Sequence, residues 1–140
     1  NLSAAKASLE HALLLGQQTL PAKSRKQAKI YGSLGDYYLE INDPKTALEA
    51  FQKSLYCVLK NVDSSAILST PEFEGLYAEN SILTAFDGKA TAFENLFQKS
   101  QNTDHLIKAL ESLQAGFEVE RLLQNTQQHS TSKIHLKVSE

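Results

Sequence analysis

Apolar and small residues recur three and four positions apart along most of the chain, which is the spacing of a helix with one buried face. The clearest stretch places six such residues on two successive helix faces: Tyr31, Leu34, Tyr38, Ala47, Phe51 and Ser54. Between the two faces, Asp43 can cap the second helix and Pro44 suits its first turn, where no N–H donor is needed. The pattern predicts a helix–turn–helix unit.

The same spacing divides the chain into five parts and predicts an all-α fold. The parts are a helix in 1–20, a helix pair in 21–60, an ordered loop insertion in 61–78, a second helix pair in 79–127, and a polar tail or the start of a further helix in 128–140. Turn-forming residues interrupt the helical spacing in the insertion. In the last part, Ile134, Leu136 and Val138 alternate as in a short strand, but we favour the tail or the helix.

A shift of 62 residues aligns the first helix pair with the second. It matches Tyr31 with Phe93, Ala47 with Ala109, Leu48 with Leu110, Phe51 with Leu113, and Ser54 with Gly116. Phe97 takes the place of the small Gly35, which predicts that the helices of the second pair lie further apart or cross at a different angle. A repeat of this kind favours stacked helix pairs over a closed bundle.

The first pair resembles the tetratricopeptide repeat. Residues 31–38 (YGSLGDYY) and 47–51 (ALEAF) follow its pattern of aromatic-x2-Leu-Gly-x2-Tyr and then Ala-x3-Phe. The resemblance implies a TPR-like α-solenoid of stacked antiparallel helix pairs. In it, residues 1–20 are the second helix of an upstream repeat, 21–60 are a complete repeat, and 79–127 are a degenerate repeat.

A narrower resemblance covers the second half of the chain. Residues 79–90 (ENSILTAFDGKA) are similar to the "ENTLLEALxGKAxAL" segment of the repeat region that precedes the protease-like domain in bacterial CHAT-domain proteins. Residues 106–111 (LIKALE) and 132–136 (SKIHL) are also similar to that region. The resemblance implies the scaffold or sensor arm of a caspase-like cysteine peptidase, or of a scaffold derived from one. The His and Cys dyad of that domain has no counterpart here, so the resemblance assigns no catalytic residue.

In stacked helical repeats, the first helix of each pair lines a concave surface that holds a peptide or a partner domain. Eight positions on these helices are the candidate partner-binding groove: Lys29, Ser33, Asp36, Glu40, Thr91, Glu94, Asn95 and Gln98. Each is alternatively an ordinary solvated helix residue. Lys29 matches a lysine of the TPR domains that hold a C-terminal carboxylate, but Asp36 replaces their asparagine and would repel that ligand.

We expect a protein or peptide partner, with the CHAT domain of the same chain as one candidate. A stand-alone TPR adaptor unrelated to a peptidase is the alternative. Because the chain begins with Asn1, contains no methionine and starts within a helical pattern, we expect it to be a fragment of a longer, cytoplasmic polypeptide.

Composition and motifs mainly exclude other functions. The net charge is −2 and no run of 18 apolar residues occurs, so we expect neither a nucleic acid nor a membrane partner. The basic cluster in residues 23–29 is interpreted as a solvated helix start. Cys57 alone forms no intrachain disulfide, and its apolar neighbours predict an inert buried thiol. No HExxH, histidine pair or phosphate-binding loop is present, so we expect no metal, no cofactor and no enzymatic activity.

Overall fold

The computed structural model describes residues 2–21, 23–59, 62–71 and 80–139, with side chains from residue 3 to residue 125. Five helices account for every regular element in these residues: α1 (Leu2–Thr19), α2 (Arg25–Glu40), α3 (Pro44–Val58), α4 (Asn80–Ser100) and α5 (Thr103–Ser139). The prediction of an all-α fold is confirmed. Short connections make α2 and α3, and likewise α4 and α5, antiparallel neighbours that pack on each other.

The ends of the first helix pair follow the chemistry of the sequence. Ser24 caps α2 by accepting a hydrogen bond from the Gln27 N–H at 3.1 Å. Asp43 caps α3 by accepting from the Thr46 N–H at 3.3 Å, and Pro44 occupies the first turn, as predicted. Asn42, between the helices, has a φ of 63°, a left-handed conformation that asparagine tolerates better than most residues.

The core forms where α2, α3 and α4 meet. The ring of Phe51 on α3 lies against Gly35 of α2 and against Gly88 of α4. A Cβ added at Gly35 would lie 2.5 Å from two ring carbons, so the close approach of the helices requires glycine. Phe86 and Phe93 of α4 complete the fully buried aromatic core.

The outer helices pack on this centre from both sides. Gly16 of α1 lies against the Gln27 side chain of α2. On the other side, Gly116 of α5 lies against α4, beside Leu83 and Phe86. The chain order therefore places α1 on α2 and α5 on α4, with α3 held between α2 and α4.

One helix boundary differs from the expected one. The helix α5 continues for 37 residues to Ser139, through most of the segment expected to be a tail or a separate helix. Within the loop insertion, residues 62–71 form successive turns, with the Ala66 N–H donating to Asp63 O at 3.2 Å and the Ser69 N–H to Ala66 O at 3.0 Å. The rest of the predicted insertion, residues 61 and 72–78, lies outside the described residues.

Candidate functional site

A groove of about 290 Å³ lies between α2 and the beginning of α4. Most of the surface exposed in it is apolar, and its lining residues are mostly small: Ala28, Lys29, Gly32, Ser33, Asp36, Ser54, Asn80, Ser81 and Thr84. Residues of α2 and α4 form its sides, and Ser54 of α3 contributes to its floor.

The groove exists because α2 and α4 run side by side in the same direction. A Cβ added at Gly32 of α2 would lie 4.0 Å from Thr84 Cγ2, near the start of α4. Near the other end, Lys99 Nζ donates to Asn42 O at 3.1 Å. The small residues at 28 and 32 leave space between the two backbones at this level, and larger side chains would fill it.

The floor of the groove is fixed by a buried hydrogen bond. Ser54 Oγ donates to Ala28 O at 2.8 Å, and both residues are buried. The bond links α3 to the second turn of α2. This bond therefore holds the floor of the groove in one conformation, which is a condition for holding a ligand in one orientation.

One anionic and one cationic side chain line the groove, and both are exposed. Lys29 lies one helical turn from Ser33, and Asp36 lies on the following turn. Partial burial, reinforced by repulsion from Glu40, raises the pKa of Asp36. The remaining polar groups are hydroxyls and the Asn80 amide, which suit hydrogen bonds to a peptide backbone.

The structure brings together three of the eight predicted groove residues. Lys29, Ser33 and Asp36 line the groove. Glu40 is exposed one turn further along α2, where it is close enough to act on the pKa of Asp36. The four candidates on α4 lie beyond the groove, half-buried at Asn95 and exposed at the others: Thr91, Glu94, Asn95 and Gln98.

Sequence reasoning missed the α4 side of the groove because it placed α4 in a different register. The repeat of 62 residues makes Glu94 the equivalent of Gly32, and the candidates were chosen from that part of α4, whereas the α4 residue near Gly32 is Thr84, 52 positions after it. The same repeat makes Ala90 the expected neighbour of Gly116, whereas the residues that lie against Gly116 are Leu83, Phe86 and Asp87. The sequence offered one signal for the true register, since Gly88 is the only glycine in α4 and a close helix contact requires a small residue.

A chain of buried polar groups lies behind the groove, between α3, α4 and the loop insertion. The Lys89 side chain is fully buried, and its Nζ donates to Gln52 Oε1 at 2.5 Å and to Ser69 O at 2.6 Å. Gln52 Nε2 in turn donates to Asp63 O at 2.9 Å. Burial, with a smaller repulsion from Lys108, lowers the pKa of Lys89 to about 8. Lys89 and Gln52 thus each donate a hydrogen bond to a backbone carbonyl of the loop insertion.

Other candidate chemistry is placed as follows. Cys57 is buried, and desolvation raises the pKa of its thiol despite smaller opposing effects, the larger of which is a backbone hydrogen bond from Ser24. Lys23, in the basic cluster, donates to Leu59 O at 3.0 Å and lies 4.5 Å from the centre of the Tyr56 ring.

Among the described residues, no group of three or more His, Cys, Asp and Glu side chains is arranged to bind a metal ion. No helix in that part of the chain is long and apolar enough to cross a membrane.

Comparisons of the chain with protein-family models, with curated proteins and with solved structures found no match.

Proposed function

We propose that the chain is a protein–protein interaction module and that the groove between α2 and α4 binds an extended segment of a partner polypeptide. The observation that carries the proposal is the groove itself, a cleft of about 290 Å³ between two parallel helices, with a largely apolar surface and a few polar groups. Its hydroxyl and amide groups match the hydrogen-bonding groups of a peptide backbone, and Lys29 and Asp36 at different turns can select side chains of opposite charge.

We further propose that the helix pairs belong to a TPR-like solenoid. The resemblance of residues 31–51 to that repeat supports this, together with the packing of Phe51 between two glycines. Burial supports it as well, since Ala47 and Ser54 of α3 and the matching Ala109 and Gly116 of α5 are all buried.

The resemblance of residues 79–90 to the repeat region of CHAT-domain proteins supports a role as the scaffold or sensor arm of such a protein. On this proposal the module is not itself catalytic, and the partner segment is offered by the CHAT domain or by another protein. A stand-alone adaptor is the alternative. The coding sequence around these residues distinguishes the two, because only the first requires a domain with a His and Cys dyad in the same polypeptide.

The groove is tested by selecting binders from a library of displayed random dodecapeptides and measuring their affinities by fluorescence polarisation. The double variant Asp36→Lys/Glu40→Lys reverses the charge of the groove edge, and we expect it to weaken the selected peptides about tenfold or more, or 1.4 kcal/mol. The matched control Glu10→Lys/Glu49→Lys makes the same net charge change at exposed positions outside the groove. Equal affinities for the two variants, or no peptide selected at all, would refute the proposed site.

A further inference from the structure

The helix α5 carries a row of exposed apolar side chains, its outer face, about 100° around the helix from the buried Gly116 that lies against α4. Leu106, Leu110, Leu113 and Phe117 are 40%, 54%, 40% and 66% exposed, and Ile107 beside them is 52% exposed. Steps of four, three and four residues place the first four on one stripe of the helix, the spacing of a coiled-coil seam. An apolar stripe of this kind on a water-soluble helix indicates a packing surface.

The first helix pair shows how the equivalent residues behave when they are covered. Under the shift of 62 residues, Leu48, Phe51 and Leu55 of α3 match Leu110, Leu113 and Phe117 of α5. All three side chains of α3 are fully buried, in a helix that packs against both α2 and α4. The outer face of α5 therefore has the side chains of a helix–helix interface.

A second copy of the chain offers a complementary surface in α5 itself. Within the described residues, the other exposed large apolar side chains are Leu14, Leu15, Ile41 and Leu68. Leu14 and Leu15 are sequence neighbours and point about 100° apart on α1, so they form no stripe. Ile41 and Leu68 lie outside the helices. The α5 face is the one continuous apolar row among these side chains, and two copies of it can pack symmetrically.

The area and the charge are compatible with such a pairing. The five side chains expose on the order of 500 Å² per copy, so a symmetric contact buries roughly 1,000 Å² in total, the lower limit for a specific interface. The row from Leu106 to Phe117 has no charged residue on its stripe, and the net charge of −2 gives little repulsion between copies. An interface of this size predicts a weak dimer that depends on concentration.

We propose that two copies of the chain associate through the outer faces of their α5 helices, packed antiparallel about a twofold axis. Each copy then covers the leucine and phenylalanine row of the other, and the contact closes at two subunits because both use the same surface. The groove between α2 and α4 shares no lining residue with this surface and stays open in the dimer.

Sedimentation equilibrium from about 1 µM to 1 mM protein tests the proposal. We expect the weight-average mass to rise from 15.5 kDa towards twice that value. The variants Leu113→Glu and Phe117→Glu place a charge on the row. We expect both to associate at least tenfold more weakly than the wild type and therefore to remain monomeric at every concentration. Leu14→Glu is the matched control, since it makes the same change at an exposed leucine of α1, and we expect it to dimerise like the wild type.

Far-ultraviolet circular dichroism must show the same helix content in all of these proteins. Three results would overturn the inference: a wild type that is monomeric throughout, a dimer that Leu113→Glu leaves intact, or an open series of higher oligomers, which a twofold contact does not allow.

Discussion

Replacing Lys89 with methionine tests the buried polar chain behind the groove. Among the described residues, the Lys89 ammonium donates hydrogen bonds to the Gln52 side-chain amide and to the Ser69 carbonyl, and to no carboxylate. Lys108 of α5 lowers the pKa of Lys89 further, and Lys108 itself lies 3.4 Å from a Glu111 oxygen. Methionine keeps the length and the apolar stem of the side chain but removes the charge and the donors.

Two opposing effects decide the result. The pKa of Lys89 falls from 10.5 to about 8 on folding, so keeping the lysine charged in the folded protein costs about 3 kcal/mol. Methionine removes that cost. It also leaves the Gln52 and Ser69 oxygens without a donor, which costs about 1–3 kcal/mol for each oxygen. At pH 7 the two effects nearly cancel, and we expect the free energy of unfolding to change by less than about 2 kcal/mol.

The pH dependence separates the two effects. Between the folded pKa of about 8 and the unfolded value of 10.5, the unfolded chain binds more protons than the folded chain at Lys89. The contribution of this lysine to stability therefore rises with pH in that window. From pH 7 to pH 9.5, the free energy of unfolding of the wild type should increase by about 2 kcal/mol relative to that of Lys89→Met.

Urea unfolding followed by circular dichroism at half-unit pH steps measures this difference. Titrations of Cys57 and the tyrosines affect the wild type and the variant alike and cancel in the subtraction. Lys45→Met, which makes the same change at an exposed position of α3, is the matched control. A difference for Lys89→Met that is flat or that falls with pH would show that the Lys89 charge is not buried.

Two further predictions concern the centre of the core. Gly35→Ala and Gly88→Ala would each drive a methyl group into the Phe51 ring, so each should lower the free energy of unfolding by about 1–3 kcal/mol in a urea titration. Gly32→Ala adds a methyl group in ordinary contact with Ser54 and Thr84 and should be neutral or stabilising by up to about 1 kcal/mol; equal effects at all three glycines would contradict the packing described. The Cys57 thiol should react with a water-soluble disulfide reagent at pH 8 only after urea is added, because it is buried and its pKa is raised. Rapid reaction of the folded protein would show that the thiol is accessible.

The local part of the fold could be predicted from the sequence. Helical spacing located the first helix pair and the beginning of the second to within a few residues. Asp43 and Pro44 marked the start of α3 because capping depends on neighbouring residues alone. The end of α5 could not be located in this way. Its polar residues after 127 carry no breaker that would end the helix, and a loss of apolar spacing does not by itself stop helix propagation.

The polar core could be read from the sequence only in part. Lys89 lies at helical spacing from Ile82, Phe86 and Phe93, all of which are fully buried, so a lysine on the apolar stripe of α4 was a visible anomaly. Its partners were not visible, because Gln52 and Ser69 are 37 and 20 positions away and become neighbours only when α3, α4 and the insertion pack.

The α4 side of the groove depends on the register of α4, and contacts in the core set that register. Gly88 must face Phe51, and the next residue, Lys89, must reach Gln52 and Ser69. Thr84 is one helical turn before Gly88, so fixing Gly88 on Phe51 also places Thr84 beside the groove. The repeat in the sequence fixes this register neither between the two pairs nor within the second pair, where Gly116 meets Leu83, Phe86 and Asp87 and not Ala90. The register that brings α4 residues to the groove is therefore set by Gly88 and Lys89, although neither residue lines the groove.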